Sequence, residues 1–197
     1  MSARFSVAIL TGTKGRGSNM TSLIHHAQSG EIPADIALVV SPKDGTQAVE
    51  KARSLGVSVA ILSPKSENYA EELLETLVDH KVTLICLAGY MTLLPPTVLE
   101  AFPNRVLNIH PALLPKFGGK GMYGSHVHEA VIAAGETESG CTVHFVTEHY
   151  DEGAPILQYA CPVWPDDTPE TLAARVLELE AKAYPAAIRQ LFNDLAP

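Results

Sequence analysis

The chain is short of cysteine, of basic charge and of long apolar runs, and each shortage excludes something. Its three cysteines, Cys86, Cys141 and Cys161, stand far apart in apolar surroundings without a Cys-x-x-Cys spacing. Such a set builds no disulfide framework and lacks zinc-ligand spacing; it reads as buried thiols in a reducing compartment. Lys and Arg total 14 against 22 Asp and Glu, a net charge of −8. A general nucleic-acid or anionic-membrane surface needs clustered cations, so neither partner is expected. No stretch approaches the roughly 20 apolar residues of a membrane span. Met1 to Leu10 carries one basic residue and an apolar run too short for a secretion signal, so a cytoplasmic protein is expected. Hydrophobic residues at 46% and charged ones at 18% are those of a globular chain. The length suits one domain, 1–197, around one substantial core.

Two phosphate-binding signatures are missing as well. The apolar run Phe5 to Leu10 breaks into Thr11-Gly12-Thr13-Lys14-Gly15-Arg16-Gly17-Ser18-Asn19, which has neither a terminal Gly-Lys-Ser/Thr nor the dinucleotide glycine spacing. It is instead a glycine-rich link from a strand to a helix, because Met20, Leu23, Ile24 and Ala27 recur at helical spacing until Gly30. Such a link is either a plain tight turn or a place where free N–H groups meet a single phosphate, with Lys14 and Arg16 adding positive charge.

Strand and helix signals then alternate. Ile36 to Val40, Val57 to Leu62 and Val82 to Ala88 read as strands, with helices over Thr46 to Leu55 and Glu67 to His80. Apolar strands alternating with amphipathic helices predict an α/β, doubly wound, mostly parallel sheet with helices on both faces. Ligands in such sheets sit beyond the carboxyl ends of the strands. Gly12–Asn19, Gly89–Leu94 and Asn108–His110 all fall there. Further on, His126 begins a helix closed by Gly135, Cys141 to Val146 and Pro155 to Val163 are strands, and Pro169 to Phe192 is a long helix capped by Asp167 or Thr168.

The central stretch is Val106-Leu107-Asn108-Ile109-His110-Pro111. Alternation along a strand puts Asn108 and His110 on one side, either as a polar strand cap or as a reactive amide and imidazole. Thr142, His144 and Val146 likewise share a face, and Asp151 stands in the turn that follows. Gly118, Gly119, Gly121 and Gly124 make a linker or a lid. Glu180 falls on the apolar stripe of the last helix with Ala173, Val176, Ala183, Ala187 and Leu191. A carboxylate there is costly unless it is ion-paired or faces a crevice.

With these residues together, the chain closely resembles the folate-dependent formyltransferase family, in its phosphoribosylglycinamide formyltransferase branch. The resemblance covers nearly the whole chain. It rests on Gly17-Ser18-Asn19, Leu87-Ala88-Gly89-Tyr90-Met91, Leu107-Asn108-Ile109-His110-Pro111-Ala112-Leu113-Leu114-Pro115-Lys116, Thr142-Val143-His144-Phe145-Val146, and Asp151-Glu152-Gly153 to Ile156-Leu157-Gln158. It implies the Rossmann-like formyltransferase fold and transfer of a formyl group from 10-formyltetrahydrofolate, as co-substrate, to the amine of glycinamide ribonucleotide in purine synthesis. By the same resemblance Asn108, His110 and Asp151 match the catalytic trio. Gly17, Ser18 and Asn19 match the segment that holds the ribonucleotide phosphate, and Glu180 the carboxylate on its ribose. Met91, Thr92, Leu93 and Leu94 match the folate pocket. No metal is expected, and the chain would act as a monomer or homodimer. Three departures stand out: a longer phosphate loop carrying Lys14 and Arg16, Thr92 where arginine is common, and a different glycine-rich lid. Related readings are the formyltetrahydrofolate hydrolases, which carry an added N-terminal domain, the methionyl-tRNA formyltransferases, which need a C-terminal RNA-binding domain, and a non-catalytic folate- or nucleotide-binding module.

Overall fold

The computed structural model describes residues 4–195. In chain order the elements are β1 (Phe5–Thr11), α1 (Ser18–Gln28), β2 (Ala34–Ser41), α2 (Gln47–Ser54), β3 (Val59–Ile61), α3 (Tyr69–Asp79), β4 (Leu84–Ala88), α4 (Pro96–Ala101), β5 (Val106–His110), α5 (Ser125–Ala133), β6 (Glu138–Phe145), β7 (Pro155–Pro162) and α6 (Pro169–Leu195). They form one seven-stranded sheet ordered β3-β2-β1-β4-β5-β6-β7. The first five strands pair in parallel, and β6 runs antiparallel to both β5 and β7. The expected doubly wound, mostly parallel architecture is therefore present.

Alternation along the central strands builds the two layers. Val7 and Ile9 of β1, with Cys86 of β4, pack beneath α1, α2 and α6, whereas Ala8, Leu10, Ile85 and Leu87 pack beneath α3 and α4. Both faces are covered, which is why β4 reads as an unbroken apolar run. The three cysteines are free and buried. Thr46 caps α2 by accepting from the Val49 amide at 3.2 Å. The α4 helix, started by prolines at its N-terminal end, lies outside the expected elements; at six residues it is too short for a periodic signal.

The long α6 runs through Pro185. A proline cannot donate to the carbonyl four residues before it, which leaves the Ala181 oxygen without its helical partner. Ser22 of α1 supplies the missing donor, its Oγ lying 3.0 Å from that oxygen. Nearby, the buried Tyr184 hydroxyl reaches the carbonyls of Leu87 and Leu107 at 3.0 Å each, tying α6 to β4 and β5 just behind their carboxyl ends.

Candidate active site

The strand order reverses beside β1: β2 and β3 lie on one side, β4 and β5 on the other. A crevice opens at such a switch point, beyond the carboxyl ends of β1 and β4. There the two loops nearly touch, and a Cβ added to Gly12 would collide with the Gly89 carbonyl oxygen. The resulting cavity, about 730 Å³, is lined by Asn19, Met91, Asn108, His110, Asp151 and Glu180 among others. Five of the sequence segments singled out thus meet in one place, from the ends of β1, β4 and β5, the turn after β6 and the middle of α6.

Asn108 and His110 leave β5 on one side, and the β5–β6 register sets Asn108 opposite His144 and His110 opposite Thr142. The Asn108 Nδ2 lies 3.2 Å from His144 Nε2 and 3.5 Å from Asp151 Oδ1. His144 Nδ1 is 2.8 Å from the Phe145 carbonyl oxygen. Because a carbonyl can only accept, Nδ1 carries the hydrogen, and in the neutral ring Nε2 is left to accept from Asn108. Asp151 itself sits at positive φ in its turn; its Oδ2 accepts from the Gly119 amide at 2.9 Å and lies 3.5 Å from His110 Nδ1. His110 Nε2 donates to the Phe117 carbonyl at 2.8 Å. The Thr142 hydroxyl donates to the Ala112 carbonyl and accepts from the Leu114 amide, so it shapes the loop after His110 rather than meeting the cavity.

Burial lowers the His110 pKa more than the Asp151 charge and the Phe117 carbonyl raise it, with His144 adding to the lowering. Asp151 alone would hold this imidazole charged, but burial outweighs it: at neutral pH the ring is uncharged, with Nε2–H on Phe117 and the Nδ1 lone pair toward Asp151. For Asp151, burial pushes the pKa up, but the neighbouring His144 and His110 rings and the Gly119 amide together outweigh it, so the carboxylate is ionised. An ionised acid beside a neutral imidazole and an amide is a proton-handling set.

At the other end of the cavity Asn19 Nδ2 donates to Glu180 Oε2 at 2.9 Å. No ion pair involves Glu180 among the described residues, which settles its place on the apolar stripe as a crevice position. Burial pushes its pKa up to about 7, the Asn19 hydrogen bond pulling the other way. Asn19 Oδ1 is buried with no hydrogen-bond partner among the described residues, although the residue itself lines the cavity. Gly17 precedes α1 at φ +74°, and Ser18 and Asn19 open the helix, whose first N–H groups have no helical partner. Gly17 and Ser18 lie outside the cavity wall. So do Thr92, Leu93 and Leu94; Leu94 is only 4% exposed and packs with the α3–α4 layer, whereas Met91 is exposed at the cavity rim.

Several wall residues lay outside the expected set. His128 of α5 is 4% exposed, its Nδ1 has no partner among the described residues, and it faces the cavity with Tyr90, Tyr123 and Tyr150. Its position between Val127 and Val131 on a buried helix face was the available signal. Ala173, expected on the buried stripe, instead lines the cavity half-buried. The glycine-rich segment contributes Gly119 to Gly124 to the wall, so it covers the site rather than merely linking elements. No group of three or more His, Cys, Asp or Glu among the described residues is placed to hold a metal, and no helix among them is long and apolar enough to cross a membrane.

Fold and site define an α/β protein of the Rossmann-like class with an amide–imidazole–carboxylate centre at its switch point. Residues 6–188 match the formyl transferase family model, and the chain belongs to that family. It is 38% identical over 179 residues to a phosphoribosylglycinamide formyltransferase of Haemophilus influenzae, covering 89% of this chain and 82% of that one. It is 43% identical over 175 residues to the chloroplastic phosphoribosylglycinamide formyltransferase of Arabidopsis thaliana, 86% of this chain. The chain spans 60% of the length of that plant relative, and 14% of a trifunctional purine biosynthetic protein of Drosophila melanogaster. Among solved structures, glycinamide ribonucleotide transformylase 1 from Symbiobacterium toebii superimposes with a TM-score of 0.89 at 39% identity, covering 98% of this chain and 90% of that one.

Proposed function

We propose that the protein transfers the formyl group of 10-formyltetrahydrofolate to the amine of glycinamide ribonucleotide, a step of purine biosynthesis, as a single 1–197 domain in the cytoplasm. The observation that carries this reading is the joining of two unlike ends in one cavity: Asn108, His110 and Asp151 at one, the Asn19–Glu180 pair beside the α1 N-terminus at the other. One end suits acyl transfer. The other suits a ribonucleotide, with hydroxyls on Glu180 and the unpartnered Asn19 acceptor, and phosphate at the Gly17–Ser18–Asn19 amides.

The amine attacks the formyl carbon, and the carbonyl oxygen takes the developing negative charge. One Asn108 N–H is held by His144 and the other is directed to that oxygen, since its 3.5 Å contact to Asp151 is at the limit of a hydrogen bond. A donor so placed is worth about 3–4 kcal/mol to the transition state. The neutral His110 takes the amine's proton at Nδ1 as the new C–N bond forms, becomes an imidazolium stabilised by Asp151, and so supplies positive charge beside the oxyanion. Collapse breaks the bond to the folate nitrogen, which receives that same proton from His110 through water held on Asp151 and leaves the imidazole neutral again. No covalent enzyme intermediate enters. Met91 meets the folate directly; Leu94, from inside the core, fixes the loop carrying Thr92 and Leu93, which close over it.

The test is formyl transfer by His110→Ala and Asp151→Asn, with folding checked by circular dichroism. A loss of turnover of a hundredfold or more is expected on general acid–base grounds; folded variants with unchanged turnover would remove the trio from the mechanism.

A further inference from the structure

A second cavity, of about 290 Å³, lies behind the loop that follows His110 and shares no residue with the first. Its apolar walls are Leu113, Pro115, Phe117 and Val131, and its polar ones Lys116, Glu136, Glu138 and Ser139. Three observations separate it from a packing gap. Ser139 is 2% exposed, yet its Oγ has no hydrogen-bond partner among the described residues, and leaving a buried hydroxyl unpaired is costly. The charges do not cancel: Lys116 Nζ is taken by Glu136 at 2.8 Å, while Glu138 forms no ion pair among the described residues. Lastly, Phe117 links the two cavities, since it lines this one and its carbonyl accepts from His110 Nε2 at 2.8 Å. Phe117 holds that carbonyl in place at φ +57°, a conformation uncommon for a residue with a side chain.

We propose that this cavity is a second small-molecule site, taking a compact apolar group that bears one ammonium, and that its occupancy is felt at His110 through the Phe117 carbonyl. The apolar body lies against Leu113, Pro115, Phe117 and Val131. The ammonium donates to Ser139 Oγ and is balanced by Glu138, the carboxylate Lys116 does not neutralise. The volume limits the ligand to about ten non-hydrogen atoms, near the lower end of ligand pockets. The ligand touches neither end of the substrate cavity, so the site stands or falls apart from the assignment of the reaction.

The probe is benzylamine, titrated into the full chain and followed by the side-chain ¹⁵N and ¹H resonances of His110 and by ligand-observed saturation transfer. Saturable binding at about 1 mM is expected for a ligand of that size, with a shift of the His110 Nε2–H resonance that saturates in step. Benzyl alcohol, which lacks the charge, binds more weakly. Ser139→Ala weakens benzylamine about fivefold by removing the hydrogen bond, and Glu138→Gln about threefold by removing an exposed charge partner. Both substitutions are small and are expected to leave the fold intact, which their amide spectra check. No saturable binding, equal binding by Ser139→Ala, or a His110 response lost when the substrate cavity is blocked would overturn the proposal.

Discussion

Replacing Glu180 by Gln should stabilise the protein at pH 8 and leave it unchanged at pH 4. In the folded chain burial raises this carboxyl from its ordinary 4.5 to about 7, so the folded state holds the proton to higher pH than the unfolded chain does. Stability therefore falls as pH rises through the window between those values, and above it the full cost of a buried carboxylate is present. Each pH unit of displacement is worth about 1.36 kcal/mol, which makes the cost about 3 kcal/mol at pH 8. Glutamine removes that titration and keeps the geometry. Its oxygen accepts from Asn19 Nδ2 as Oε2 does at 2.9 Å, and its amide can donate to the otherwise unpartnered Asn19 Oδ1. For a chain of this size about 3 kcal/mol corresponds to roughly 6–12 °C in Tm. The assay is urea or thermal unfolding of both proteins at half-unit steps from pH 4 to 8.5, read as the difference between them. A difference independent of pH, or a glutamate form more stable at pH 8, would refute the buried-carboxyl argument. The same variant should bind the ribonucleotide more weakly, which identifies Glu180 as a position where ligand binding is bought with stability.

Ser18→Asp places a negative charge at the α1 N-terminus and should raise KM for glycinamide ribonucleotide with little change in KM for the folate; equal effects on both would sink the phosphate assignment. Asp151→Asn removes the charge that raises the His110 pKa, so the acid limb of the residual activity, already below the ordinary imidazole value of about 6.5, should move to lower pH; a move upward contradicts the raising effect assigned to Asp151. Gly12→Ala drives a methyl into the Gly89 carbonyl and should cost about 2–3 kcal/mol as overpacking, measured by urea unfolding. Ser22→Ala orphans the Ala181 carbonyl above Pro185 and should cost about 1–2 kcal/mol; an unchanged midpoint would mean that oxygen has another partner.

Much of this site was readable in the sequence because strand alternation is a rigid rule. Asn108 and His110 had to share a side, and the glycine-rich breaks after β1 and β4 had to lie at one sheet edge. Glu180 was conspicuous for the same reason, a charge standing on an apolar stripe. What could not be read were facts set by loops. The capture of Asp151 by the Gly119 amide depends on how the 111–124 segment folds back, and no periodicity governs that. The protonation of His110 could not be read either, because the burial that outweighs the Asp151 charge is a tertiary property. His128 gives no distinct signal in the sequence, because an imidazole on an apolar helix face is usually a packed one. Pro185 within a long helix is compensated by Ser22, 159 residues upstream of the carbonyl it serves.

The most direct measurement follows tetrahydrofolate release from 10-formyltetrahydrofolate with and without glycinamide ribonucleotide. Release that requires the ribonucleotide, in one-to-one proportion with formylated product, is the predicted result. Release without it would make the protein a hydrolase, and no release under either condition would make the Asn108–His110–Asp151 centre a binding site rather than a catalytic one.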